Sequence, residues 1–166
     1  MAHAPAVALP APAVRRDESA PAPRVALVDA PSAPLLARDL FAAGDPGPIA
    51  ASLAQVPELL GPTLPFLGTV LGPSWIPLRD KEIVILRTSA VMGCRYCTEA
   101  HTVVALDSGL RAEEVRALRG ELPLADLERA RPALGTDDAR VVELTLLIAT
   151  TVLLNRYATA LALPTS

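Results

Sequence analysis

The residues that can carry redox chemistry are two cysteines and one histidine, grouped within eight positions. The only cysteines of the chain lie in Cys94-Arg95-Tyr96-Cys97, and His101 follows four residues later. Side chains three and four residues apart share one face of a helix, so both thiols and the imidazole are expected to converge. Such a group can reduce a peroxide or a disulfide, because one sulfur attacks and the other then forms an intramolecular disulfide.

The position of these cysteines at the start of a helix favours a reactive thiol. Gly93 is expected to end one helix, which places Cys94 and Cys97 in the first turn of the next. Free N–H groups and the helix dipole at that end stabilise an anion, so they lower the pKa of a thiol from its usual value of about 8.5. An imidazole beside the thiols can accept the proton. We therefore expect one thiol to ionise well below its ordinary pKa.

A carboxylate completes the group only if the chain reverses direction at Met92-Gly93. On one continuous helix Glu82 and Cys94 would lie roughly 18 Å apart. In an antiparallel pair of helices, Glu82 lies eleven residues before the turn and His101 eight residues after it, so the two side chains can meet. Glu82 would then orient the imidazole, as the third member of a nucleophile, base and orienter chain.

The elements that position these residues are predicted to be helices, and the fold class is all-α. Aromatic residues make up only 3% of the chain, so the core must be built mostly from Ala, Leu and Val, which suits close helix packing. Trp75 is expected to anchor that core. Helices are predicted over 35–44, 49–60, 62–71 with Pro62 and Pro65 in the first turn, 77–91, 94–107, 112–118 and 137–162 with Thr136 as N-cap.

Two units of different composition are predicted. Pro and Ala account for 18 of the first 34 residues, and no helical or strand period persists there, so residues 1–34 are expected to form a flexible tail. Residues 35–166 are expected to form one helical domain.

Several classes of function are unfavourable for this composition. The net charge is −3 with no basic stripe, which argues against nucleic-acid binding, and no glycine-rich phosphate loop is present. The uncharged run 59–78 contains four prolines and three glycines, and the run Leu144 to Asn155 is too short to span a bilayer. The N-terminus lacks the pattern of an export signal. We expect a cytoplasmic protein that does not enter a membrane.

The spacing of the site residues resembles a known family. Glu82, eleven further residues, Cys94-x-x-Cys97, three further residues and His101 resemble the AhpD-like alkylhydroperoxidases of the carboxymuconolactone decarboxylase superfamily. The segment 78–87 is similar to the family's helix before the motif. The segments 142–145 and 155–156 are similar to its closing helix, so the resemblance covers roughly residues 50–162.

The resemblance implies an all-helical homo-oligomer, a trimer or hexamer, that reduces organic hydroperoxides without a bound cofactor. It implies that Cys97 is the attacking thiolate, that Cys94 is its disulfide partner, and that His101 and Glu82 form a proton relay. An external dithiol, such as a lipoyl-bearing protein, would recharge the pair. Tyr96 stands where the well-studied pattern has a histidine, and its hydroxyl either lines the pocket or packs.

Other interpretations remain open for the same residues. The cysteines can be inert packing residues or a zinc pair completed by Glu82 or Glu99, and His101 can be a hydrogen-bonded core residue. A lyase acting on a carboxylated lactone needs an acid and a base but no cysteine couple. A non-enzymatic oligomeric binding or stress protein would need none of this chemistry.

Overall fold

The fold is built from helices, as predicted. The computed structural model describes residues 22–122 and 137–165, and these ranges contain helices and no strand. The α-helices are α1 (Arg38–Ala42), α2 (Gly47–Leu53), α3 (Leu60–Leu71), α4 (Leu78–Met92), α5 (Arg95–Asp107), α6 (Ala112–Leu118) and α7 (Asp138–Leu161). Short 3-10 turns at Leu35–Ala37 and Pro57–Leu59 precede α1 and α3. The prediction of an all-α fold is therefore confirmed.

The central feature is the antiparallel hairpin of α4 and α5. Gly93 ends α4 in the left-handed conformation with φ 68°, which a residue without Cβ adopts at little cost. The backbone N–H of Cys94 then donates to the carbonyl of Ser89 at 3.0 Å and closes the turn. The chain reverses at the predicted break. The hairpin and α6 share an apolar cluster of Ile83, Leu86, Ala105, Leu110, Val115 and Leu118.

A buried ion pair fixes the long helix α7 against α4. Lys81 is fully buried, and its ammonium group lies 2.7 Å from Glu143 Oε1 on α7. The same Nζ donates to the carbonyls of Val70 at 2.8 Å and Gly72 at 2.6 Å, at the end of α3. A buried charge is tolerated only when it is paired and hydrogen-bonded, and Lys81 meets this requirement through Glu143 and the two carbonyls. The pair therefore joins α3, α4 and α7.

The helix α7 covers nearly the predicted range 137–162 and extends beyond its central apolar run at both ends. Asp137 is the observed N-cap, and its side chain accepts the N–H of Arg140 at 3.1 Å, so the prediction of Thr136 as the cap is wrong. The helix has 24 residues and a mean hydropathy of 1.4 over its most apolar window, of which 33% is buried. By length and composition it is long enough to cross a membrane, unlike the run Leu144 to Asn155 considered alone.

The segment 22–34 packs against the helices instead of extending from them. Val28 and Ala33 are buried in a cluster with Phe41 and Leu60, and the Val28 N–H donates to the carbonyl of Ala51 at 3.1 Å. This part of the predicted flexible tail is therefore placed by contacts with the helical domain. The average composition of the tail does not reveal this packing, because only a few of its apolar side chains pack against the helices. Residues 1–21 of the predicted tail lie outside the described residues.

Two further expectations differ from the structure. Pro65 is the sixth residue of α3 and not part of its first turn, although Pro62 is the third. Trp75 is 71% exposed, so it does not anchor the core of this chain. The neighbours of Trp75 are held by hydrogen bonds, Ser74 to Lys81 and Ile76 to Glu143. Residues 123–136 lie outside the described ranges.

Candidate active site

The two cysteines lie together at the N-terminus of α5. Cys94 is the N-cap residue, and its Sγ accepts the backbone N–H of Cys97 at 3.3 Å. The two Sγ atoms are 2.9 Å apart, and both residues are buried free thiols. A disulfide has an S–S distance of about 2.05 Å, so a small approach of the sulfur atoms would join them. The predicted convergence of the thiols is present in the structure.

The hairpin also brings Glu82 to His101, as its geometry requires. His101 Nδ1 lies 2.9 Å from Glu82 Oε2. A carboxylate can only accept, so Nδ1 carries the proton and Nε2 is left free to exchange one. The Glu82 side chain is 1% exposed, whereas that of His101 is 18% exposed. The carboxylate of Glu82 is therefore shielded from water, whereas part of the imidazole that it binds is exposed.

The pKa values of the two thiols are shifted in opposite directions. The pKa of Cys94 is lowered to about 6, chiefly because the Cys97 thiol donates a hydrogen bond to its sulfur. Burial opposes this effect, while the Cys97 N–H, the Thr159 hydroxyl and the charge of His101 add to it. The pKa of Cys97 is raised, because its proton is held by Cys94 and because it is buried. The contact between the two sulfur atoms therefore favours ionisation of one thiol and opposes ionisation of the other.

An open pocket of about 280 Å³ lies beside Cys94. It is bounded by the first turn of α5, the end of α7, the residues after α7, and the segment that begins at residue 22. Cys94 lines it, whereas Cys97 does not. Thr159, whose hydroxyl bonds to Cys94, also lines the pocket. The full lining is Ala22, Arg24, Gly93, Cys94, Arg95, Tyr96, Ala158, Thr159, Ala162, Leu163, Pro164 and Thr165.

Tyr96 combines the two roles considered for it. The residue lines the pocket and also packs against the cluster that contains Cys94, Cys97 and Leu163. Its hydroxyl accepts a backbone hydrogen bond from Ile49, and burial raises its pKa above the usual value. A phenol with a raised pKa is a poor base at neutral pH, so Tyr96 does not replace the histidine of the related pattern.

Asn155 supports the site from α7, a contact that sequence reasoning did not anticipate. Its Nδ2 donates to Ser89 Oγ at 3.1 Å and to the carbonyl of Thr151 at 2.6 Å. Ser89 in turn binds the N–H of Cys94 through its backbone carbonyl, so Asn155 braces the turn that carries the cysteines. The side chain is buried, and its Oδ1 has no hydrogen-bond partner among the described residues. In the sequence, this role is indicated only by a single amide side chain, Asn155, at the end of the apolar run 144–155.

No cluster of three or more His, Cys, Asp or Glu residues placed to hold a metal ion occurs within 22–122 and 137–165. Glu82 bonds to His101, and Glu99 lies 3.0 Å from Arg119, so both carboxylates considered as zinc ligands have other partners. The arrangement instead presents a paired thiol, a proton-exchanging imidazole and a pocket.

Comparison with known proteins assigns the family. Residues 57–139, half of the chain, match the carboxymuconolactone decarboxylase family. The matching segment contains Glu82, Cys94, Cys97 and His101, together with the whole α4–α5 hairpin. The comparison with proteins of curated function gives no match. The helical fold, the motif spacing and this match agree, and the chain belongs to the carboxymuconolactone decarboxylase family.

Proposed function

We propose that this protein is a thiol-dependent oxidoreductase that reduces organic hydroperoxides or disulfides through Cys94 and Cys97. The observation that carries the proposal is the pair of reduced sulfur atoms, 2.9 Å apart at a helix N-terminus and bordered by an open pocket. His101 and Glu82 act as the proton relay. AhpD-like peroxidases, which the sequence resembles, use this combination of groups.

The first step consumes the hydroperoxide. The Cys94 thiolate attacks the distal oxygen, an S–O bond forms, the O–O bond breaks, and an alkoxide leaves. The alkoxide takes a proton from His101 and departs as the alcohol, while Cys94 becomes a sulfenic acid. Glu82 stabilises the imidazolium before that transfer and keeps its Nδ1 proton in place. His101 then regains its proton from solvent.

The second step uses the neighbouring thiol. The sulfur of Cys97 attacks the sulfenic sulfur of Cys94, the S–S bond forms, and hydroxide leaves with the thiol proton as water. An external dithiol, such as a lipoyl group, then reduces the disulfide by exchange and becomes the oxidised product. The short distance between the sulfur atoms favours this resolution over further oxidation.

The order in which the sulfurs react is the point where the proposal departs from the resemblance. The related pattern implies that Cys97 attacks first. In this chain Cys94 lines the pocket and has the lowered pKa, and Cys97 holds its proton. A thiolate is the nucleophilic form of cysteine. We therefore assign the attack to Cys94 and the resolving role to Cys97.

Trapping the sulfenic acid tests this assignment. The Cys97→Ser variant keeps a hydrogen-bond donor beside Cys94, so it should form a sulfenic acid at Cys94 with an organic hydroperoxide and stop there. Mass spectrometry after labelling with dimedone detects the adduct. The Cys94→Ser variant should give no adduct. An adduct on Cys97 in that variant, with none on Cys94 in the other, would support the order implied by the resemblance.

A turnover assay separates the proposed activity from the lyase that the family description names. Cumene hydroperoxide and a dithiol serve as substrates for the peroxidase assay, and a carboxylated muconolactone serves for the lyase assay. We expect hydroperoxide turnover that both Cys→Ser variants lose. Lactone turnover that survives in both variants would instead establish the lyase, because that reaction needs no thiol. Inactivity in both assays would favour a binding protein.

We also propose that the protein assembles into a homotrimer or homohexamer in the cytoplasm. An exposed apolar stripe runs along α7 through Val142, Leu146, Ala149 and Leu153. A stripe of this kind is typical of a helix that packs against another helix. A second copy of the chain would cover it. Free thiols at the site fit a reducing compartment.

A further inference from the structure

The pocket beside Cys94 contains arginine side chains that the proposed thiol chemistry does not need. Two of its twelve lining residues are arginines, Arg24 and Arg95, and none is acidic. The positive charge of Arg24 can attract an anionic ligand to this concave site.

Arg24 is held at the pocket by contacts with the end of α7. Its backbone N–H donates to the carbonyl of Leu161 at 2.8 Å, and its Nη1 donates to the carbonyl of Ala160 at 2.9 Å. These bonds fix the guanidinium next to the residues that form the pocket wall. A guanidinium has five N–H donors, and within the described ranges the Arg24 side chain uses one of them. The remaining donors can bind an acidic group.

The rest of the wall is suited to a hydrocarbon. Ala158, Ala162, Leu163 and Pro164 contribute apolar side chains, and Thr159 contributes a hydroxyl beside the Cys94 sulfur. At about 280 Å³, the pocket is at the small end of the usual range for small-molecule sites. A compact molecule with an apolar body and one acidic end matches this combination.

We propose that the substrate of this site is an organic hydroperoxide that carries a carboxylate, with the carboxylate bound at Arg24 and the peroxide oxygen at Cys94. The inference rests on the proposed peroxidase function and adds the class of substrate. The Arg24 side chain is exposed, so its contact with a carboxylate is weakened by water and salt, and the selectivity is moderate.

Kinetics with two matched substrates test the inference. Cumene hydroperoxide with a para-carboxylate and the methyl ester of the same compound differ in one charge. At low ionic strength the wild type should use the acid with a kcat/KM roughly 3–10-fold higher than the ester, and added salt should reduce this ratio. In Arg24→Gln the KM for the acid should rise by about the same factor, with the KM for the ester unchanged. Arg24→Lys should restore part of the preference.

The control variant removes the same charge elsewhere. Arg38 is exposed on α1 and does not line the pocket, so Arg38→Gln should leave both substrates unaffected. Equal use of acid and ester by the wild type would overturn the substrate assignment while leaving the peroxidase intact. An equal loss with both substrates in Arg24→Gln would also overturn it, because that pattern indicates a structural role. Turnover of neither substrate would contradict the proposed function itself.

Discussion

At the scale of single residues, the site depends on donors that surround one sulfur atom. The sulfur of Cys94 lies 2.9 Å from the sulfur of Cys97, accepts the backbone N–H of Cys97 and is bonded by the Thr159 hydroxyl. Hydrogen bonds to the charged form of a group favour that form. The lowered pKa of Cys94 is therefore a property of the whole arrangement, and each donor can be removed separately.

Thr159 offers the sharpest test of this view. The Thr159→Val variant keeps the shape of the side chain and removes its hydroxyl, so the pKa of the Cys94 thiol should rise from about 6. Thr159→Ser should return it to the wild-type value. Thiolate absorbance measured across pH gives the midpoint directly. Identical midpoints for the valine variant and the wild type would show that the hydroxyl does not stabilise the thiolate.

The same pKa sets the pH dependence of the reaction. A thiol with a lowered pKa is ionised above that pKa and protonated below it, so the rate of reaction with iodoacetamide should be constant at neutral pH and fall as the pH drops through about 6. Replacing His101 by Ala should move the fall to higher pH, because the charge of His101 helps to lower the pKa of Cys94. A midpoint near 8.5 in the wild type would contradict the assigned electrostatics.

Glu82 is expected to matter for proton transfer more than for binding. Glu82→Gln preserves the size of the side chain and an oxygen that accepts the Nδ1 proton, but it removes the charge that stabilises the imidazolium. We expect kcat for hydroperoxide reduction to fall roughly 10–100-fold with little change in KM. Steady-state kinetics measure both, and far-UV circular dichroism checks the fold. An unchanged kcat would remove Glu82 from the relay.

At the scale of elements, the α4–α5 turn decides whether the site exists. Gly93→Ala puts a side chain on a residue with φ 68°, and no atom lies within 4 Å of the added Cβ. The cost is therefore backbone strain without a clash, and the free energy of unfolding should fall by about 1 kcal/mol. Urea unfolding measures this change. A loss of several kcal/mol would indicate that the turn is crowded, contrary to the structure.

The sequence was informative where spacing alone fixes geometry. The break at Gly93 brings two helices side by side, so Glu82 meets His101. The three-residue spacing at the start of the second helix brings Cys94 to Cys97. Contacts between distant segments carry no such local signature. Thr159 reaches Cys94 from α7, and Arg24 reaches the pocket from a Pro- and Ala-rich segment that was expected to be flexible. Tertiary packing places both residues, and no periodicity within their own segments indicates their partners.

At the scale of the whole molecule, α7 leaves a stripe of apolar side chains exposed within the described part of the chain. Leu146 is exposed in the middle of the stripe on α7, so Leu146→Glu should not disturb the fold but should disrupt the proposed assembly. Sedimentation should then show a species near the monomer mass of 17.4 kDa, whereas the wild type should sediment as a trimer or hexamer. Leu36→Glu, also exposed but on a different surface, is the control. A wild-type monomer would contradict the proposed oligomer.

The central claim is that Cys94 and Cys97 form a working redox couple. Intact mass spectrometry of the fully reduced protein after one equivalent of cumene hydroperoxide tests it most directly. The account predicts the loss of two hydrogen atoms per chain, a disulfide between Cys94 and Cys97 in the digested protein, and recovery of the starting mass with dihydrolipoamide. A protein that keeps both thiols under these conditions would contradict the claim.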